Sequence, residues 1–178
     1  RQMLARLVRA SEGEVNSPLT ATRPEKKALI ALIATDRGFC GGLNSNLYKE
    51  AVRFTAAKAK EGVQCDIAAW GKRAKMATKS GAQTVVAERE QVLAAPSFPF
   101  AKQLASELIE KFSSGDYDRV YICYTRFQSA MTQIPTVTQL LPVGAVSADD
   151  AQGDSTGEDN SSLLTEPDLE SLLRSLLE

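Results

Sequence analysis

The sequence predicts an α/β fold, a Rossmann-like and mostly parallel sheet with helices on both faces. Three observations predict it. Apolar runs of strand length alternate with amphipathic stretches of helical length, the first run is apolar without a break, and it ends at a glycine-rich turn. An order of strand, helix, strand repeated along the chain calls for right-handed crossovers over a parallel sheet.

Taken in order, Ala28 to Thr35 is the unbroken apolar run, the pattern of a strand buried on both faces. A helix follows, with Leu43, Leu47, Ala51 and Phe54 on one side and Lys49, Glu50, Arg53, Lys58 and Lys60 elsewhere. Val63 to Ala69 reads as the second strand, a short basic helix covers about Lys72 to Lys79, and Gln83 to Ala87 reads as the third strand. Pro96-Ser97-Phe98-Pro99 introduces a helix with Leu104, Leu108 and Phe112 spaced by four, and Arg119 to Tyr124 is the fourth strand. From Met131 to Leu141, Ile134, Thr136, Thr138 and Leu140 alternate with Pro135, Val137, Gln139 and Leu141. Proline has no N–H for a ladder, so this last strand belongs at a sheet edge, antiparallel to its neighbour through the turn near Gln128-Ser129-Ala130.

The two ends read as helices. Met3, Leu4, Leu7 and Val8 form a narrow apolar stripe over Arg1 to about Ser11. Near the other end Thr165 can cap, Pro167 suits a first turn, and Leu169, Leu172, Leu173, Leu176 and Leu177 repeat at helical spacing. These are the stubs of two long terminal helices running on as a helical pair, or ordinary surface helices packed on the core. The expected organisation is a remnant of an N-terminal coiled-coil helix over 1–12, the α/β domain over 13–146, an acidic flexible loop over 147–162 and the start of a C-terminal coiled-coil helix over 163–178. The loop is rich in Asp, Gly and Ser with almost nothing apolar.

Composition narrows the chemistry. Residues 148–178 hold nine of the 22 acids and one base, so the remainder carries 20 bases against 13 acids, a balance of +7. The densest basic run, Lys72-Arg73-Ala74-Lys75 with Lys79, lacks interleaved aromatics or a recognisable module, which argues against nucleic acid. No window approaches the roughly 18 to 20 apolar residues of a bilayer span, so no direct membrane insertion is expected. With no histidine in the chain, catalysis by a Ser-His or Cys-His pair is excluded. Cys40, Cys65 and Cys123 are odd in number and far apart, which implies no disulfide framework, and without a CxxC pair a metal site lacks ligands.

The turn Thr35-Asp36-Arg37-Gly38-Phe39-Cys40-Gly41-Gly42-Leu43-Asn44 sits where an open α/β sheet holds its ligand. Its glycines at 38, 41 and 42 do not spell the dinucleotide fingerprint, and the second strand ends Ala69-Trp70-Gly71 without the ribose-binding acid. A P-loop fails too, because Arg73 stands where Ser or Thr should follow Gly71-Lys72. No cofactor is expected. Cys40, near a helix N-terminus and Arg37, is a candidate reactive thiol, but without a histidine base or resolving cysteine it reads better as a small side chain in a tight turn. Cys65 and Cys123, each in an apolar strand, read as core residues.

This turn carries a resemblance. Ala34 to Asn46 is similar to the pattern (S/T)-D-(R/K)-G-(L/F)-C-G-(G/A)-(L/F)-N-(S/T)-N of γ subunits of the rotary F-type ATP synthase. Tyr124-Thr125-Arg126-Phe127-Gln128-Ser129-Ala130-Met131-Thr132-Gln133 running into Pro135-Thr136, then Gln139-Leu140-Leu141-Pro142, resemble bacterial members, and Glu166-Pro167-Asp168 resembles the opening of the family's returning helix. Departures are the missing lysine-rich N-terminal helix, the missing alanine- and glycine-rich C-terminal signature, and the lack of a close cysteine pair like the redox insertion of chloroplast members. The acidic stretch Asp149 to Asp159 matches no family motif.

The resemblance implies a noncatalytic central-stalk rotor subunit, with no catalytic residues of its own, in a complex that couples proton flow to ATP synthesis or hydrolysis and regulates that ATPase activity. It implies as partners the ε subunit, the catalytic β and noncatalytic α subunits and the membrane c-ring. The location implied is the cytoplasmic face of a bacterial plasma membrane in preference to a mitochondrial matrix. Candidate subunit contacts are Asp36, Arg37, Gly38, Phe39, Cys40, Gly41, Gly42, Leu43 and Asn44, near the coiled coil and a catalytic subunit, and Ser161, Leu163, Leu164 and Glu166, facing ε and the ring. Arg37 would pair with a partner's acids or locally with Asp36. The competing reading is a small α/β nucleotide-binding or thiol redox protein using the Gly38 to Gly42 loop.

Overall fold

A computed structural model describes residues 18–79, 83–92 and 97–143. The expected terminal helices, the acidic loop and the contact candidates Ser161, Leu163, Leu164 and Glu166 lie outside the described residues. The chain divides into two compact units, residues 23–140 and residues 1–22 with 141–178. In the second, a 3₁₀ turn spans Pro18–Thr20 and the Val143 N–H donates to the Leu19 carbonyl at 2.8 Å.

The first unit is built on β1 (Lys27–Ile33), α1 (Leu43–Lys60), β2 (Gln64–Trp70), α2 (Lys72–Thr78), β3 (Thr84–Arg89), α3 (Phe98–Ser113), β4 (Arg119–Phe127) and β5 (Gln133–Leu141). The strand order is β3-β2-β1-β4-β5, with β1 parallel to both β2 and β4, and β2 parallel to β3. Residues 128–132 join β4 to its neighbour β5, a link too short for a crossover, so β5 returns antiparallel at the edge. Pro135 therefore lies in an edge strand, which pairs on one side only. The hairpin lengthens the fourth strand past the expected Tyr124 to Phe127, because the paired partner continues the ladder.

The α/β expectation with helices on both faces holds, and side-chain parity shows how. Ala28, Ile30 and Leu32 of β1 join Leu47 and Ala51 of α1, Ala74 of α2 and Ile67 and Ala69 of β2 in one buried cluster. Leu29 and Ala31 alternate to the other face, where α3 lies on β4 and buries Leu104, Leu108 and Phe112. Five consecutive β1 residues are thus buried, which is why the run has no polar break. Burial of Leu29, Ile30, Leu32, Ile67 and Phe112 contributes on the order of 2 kcal/mol per side chain. The order reverses direction between β1 and β4, which opens a crevice at the carboxyl end of β1.

Candidate functional site

The turn after β1 is fixed by a polar network rather than by a helix cap. Gly42 precedes α1 with no side-chain cap bond. Asn44 instead reaches back from the first turn: its Oδ1 accepts the Thr35 N–H at 3.1 Å, and its Nδ2 donates to Thr35 Oγ1 at 2.8 Å and to Cys40 Sγ at 2.9 Å. The Thr35 hydroxyl donates to the Arg37 carbonyl at 2.6 Å. The Cys40 sulfur is an acceptor in this lattice, with no second cysteine in its network. Burial pushes the Cys123 thiol up to about 12 and the Cys65 thiol up to about 11. Cys65 is half-buried rather than fully enclosed as the strand pattern implied.

Asp36 takes a role that sequence reasoning missed. Its Oδ1 accepts the Lys72 N–H at 3.0 Å and the Gln91 N–H at 2.7 Å, so one carboxylate joins the chain after β1, the start of α2 and the end of β3. The expected local pair with Arg37 is not made: among the described residues Arg37 is exposed and joins no ion pair. The carboxylate gains more from two fixed backbone donors than from one mobile, solvated cation. Gly71 closes the same junction. At φ 97° it brings its backbone so near Ala34 that an added Cβ would lie 2.0 Å from the Ala34 carbonyl oxygen.

Phe39 stands at the tip with its side chain fully exposed and a φ of 58°, a left-handed conformation that is uncommon for a bulky residue. Phe127 and Met131, flanking the β4–β5 hairpin, are 72% and 95% exposed at the same carboxyl end of the sheet. Among the described residues, adjoining hollows border the turn. The largest, about 490 Å³, lies between Phe39, Cys40, Ser45 and Arg73. One of about 420 Å³ occupies the crevice between β1 and β4, lined by Thr35, Leu47, Tyr124 and Phe127. The smallest, about 220 Å³, reaches Met131 and Pro135. Thr125 lines both of the latter, and its buried Oγ1 has no hydrogen-bond partner among the described residues.

The structure thus gathers Asp36 through Asn44 on one surface and adds Phe127, Met131 and Thr125 to it. The signal for the latter three was present as apolar residues bracketing a polar turn, but only the hairpin shows which end of the sheet they reach. Among the described residues no group of three or more His, Cys, Asp or Glu side chains could hold a metal ion, and no helix is long and apolar enough to cross a membrane.

The comparisons with known proteins agree on one family. The family model described as ATP synthase matches residues 1–178. A Geobacter sp. protein named ATP synthase gamma chain is 35% identical over 149 residues, covering 84% of this chain and 51% of that protein. An Acinetobacter baumannii protein of the same name is 31% identical over 177 residues, covering 99% of this chain and 60% of that one. The chain therefore spans about half to three fifths of the length of these relatives. The central stalk and c-ring structure of the Tetrahymena thermophila mitochondrial ATP synthase contains a chain that superposes with a TM-score of 0.57 at 18% identity, covering 97% of this chain and 78% of that one, a likeness of fold.

Proposed function

The chain belongs to the ATP synthase family, and on that premise we propose that it serves as the noncatalytic central-stalk subunit of a rotary F-type ATP synthase, passing rotation between a proton-driven ring and the catalytic subunits. The observation that carries the reading is the family match along the whole of residues 1–178. The site supports it in physical terms. A rotor subunit needs rigid, specific contact surfaces and no reactive groups, and the turn supplies a fixed polar lattice crowned by an exposed, strained Phe39.

In this reading Phe39, Phe127 and Met131 are the apolar anchors of a subunit contact, Arg37 meets a partner's acids, and the unsatisfied Thr125 hydroxyl takes a partner's polar group. The partners are the α and β subunits, the ε subunit and the c-ring. The relatives' bacterial sources support the cytoplasmic face of a bacterial inner membrane as the location, held there through the complex.

Isothermal titration of the chain with the ε subunit of the same organism, beside ATP and NAD as separate titrants, tests the proposal. One-to-one binding of ε with no heat from either nucleotide supports it. Heat from a nucleotide and none from ε overturns it in favour of a ligand site at the Gly38 to Gly42 loop.

A further inference from the structure

At the end of the sheet opposite the turn, the segment before β1 is tied to α1, β2, β4, the end of α3 and the loop before β4. The Arg23 Nη2 donates to the Phe112 carbonyl in the last turn of α3 at 2.8 Å, and its guanidinium lies 4.9 Å from the centre of the Phe112 ring. Glu25 accepts the Tyr121 hydroxyl at 2.9 Å and the Lys58 ammonium at 3.0 Å. The Lys26 and Lys27 N–H groups both donate to Asp118 Oδ2, at 2.9 and 3.0 Å. Lys27 Nζ pairs with Asp66 at 3.1 Å and sits 4.8 Å from the centre of the Tyr117 ring. Asp66, 2% exposed, also accepts the Tyr117 hydroxyl at 3.0 Å.

These ties divide between the two faces of the sheet. Lys58 and Tyr121 belong to the α1 side, while Asp66, Tyr117 and Phe112 belong to the α3 side. A strand held only by its ladder can be peeled one hydrogen bond at a time from its end. A strand clamped on both faces must lose several charge-assisted bonds together, here made by partly buried ion pairs. The clamp begins at Arg23, where the chain passes into this unit.

We infer that Arg23–Lys27 is a force-bearing anchor, a positioning segment that spreads load arriving along the chain at residue 22 onto both helical layers of the α/β unit. The inference rests on the rotor reading, which is what would supply such a load. Catalytic chemistry plays no part in it.

The test uses the complete subunit assembled with its partners, with a bead attached through the thiol of an Ala57→Cys substitution at an exposed position of α1. Torsional stiffness is read from the bead's angular fluctuations while rotation is stalled. The double variant Arg23→Ala/Glu25→Ala is expected to widen the angular variance about twofold, since the ties made by both side chains are gone. Tyr121→Phe, which keeps the ring packing and removes only the hydroxyl bond to Glu25, should give a smaller widening and covers the case of a double variant that does not fold. Arg89→Gln, which breaks the Arg89 pair with Glu107 away from the anchor, should leave the variance unchanged. Wild-type variance in both folded anchor variants, or equal widening in Arg89→Gln, overturns the anchor while leaving the rotor reading in place. A wild-type subunit that does not assemble or rotate overturns the rotor reading, and the anchor with it.

Discussion

The Asp36 carboxylate accepts the Gln91 backbone N–H at 2.7 Å across 55 positions of sequence, and the same oxygen accepts the Lys72 N–H. The loops after β1, β2 and β3 are thereby held as one surface. Asp36→Ala should lower unfolding free energy by about 2 kcal/mol, because both donors lose a charged acceptor. Asp36→Asn, which keeps one acceptor oxygen, should cost less than half of that. Urea denaturation of the three proteins checks the order.

Phe39 offers a test that separates stability from binding. Its φ of 58° suits glycine, and its side chain is fully exposed in the isolated chain. Phe39→Gly should stabilise the fold by about 1 kcal/mol through released backbone strain. The same variant should bind the partner subunits at least about tenfold more weakly if Phe39 is the anchor of the contact. Chemical denaturation and titration on one preparation read both.

Two glycines with positive φ should respond differently to alanine. Gly62, at φ 81°, has open space around the missing Cβ, so Gly62→Ala should cost only the conformational strain of about 1 kcal/mol. Gly71, at φ 97°, adds a clash with the Ala34 carbonyl. Gly71→Ala should cost more than about 3 kcal/mol, because backbone on both sides must move. Thermal melts would invert this order only if the junction of β1 and α2 were loose.

The anchor should also set the pH limits of stability. Partial burial pushes the Asp118 carboxyl up, but the N–H groups of Lys26 and Lys27 and the charges of Arg23 and Arg119 outweigh it and hold it below its usual range. A depressed folded value means stability present above the ordinary carboxylate value of about 3.9 and lost as pH falls through the lower folded one. Burial, then the bond to Glu25, raises the Tyr121 phenol to about 12. Its contribution is present below about pH 10 and is lost as pH rises toward the folded value. Asp118→Asn should flatten the acid limb of a stability profile, and Tyr121→Phe the alkaline limb.

The three thiols should separate cleanly toward a disulfide reagent. Burial raises the Cys123 and Cys65 thiols, and Cys123 is wholly enclosed. Near pH 8 the native chain should release about one equivalent quickly, from Cys40, and the rest only on unfolding. Cys40→Ser should abolish the fast phase. A fast phase that survived this substitution would show that the half-buried Cys65 thiol is reached in the native chain.

The sequence by itself determined the element types, their order and the two-sided burial of β1, because period and apolar continuity are local properties that one stretch of chain displays alone. Pro135 was enough to place β5 at an edge. The motif from Ala34 to Asn46 drew attention to the turn after β1. The tertiary structure decided what those residues do. No pattern along the chain shows that Asp36 meets Gln91 rather than Arg37, that Phe127 and Met131 join Phe39 at one end of the sheet, or that Arg23 and Glu25 clamp opposite faces. Each is a contact between distant positions that exists only once strand order and crossover direction bring the loops together, and burial and fixed backbone donors then outweigh the local pairing that sequence neighbours suggest.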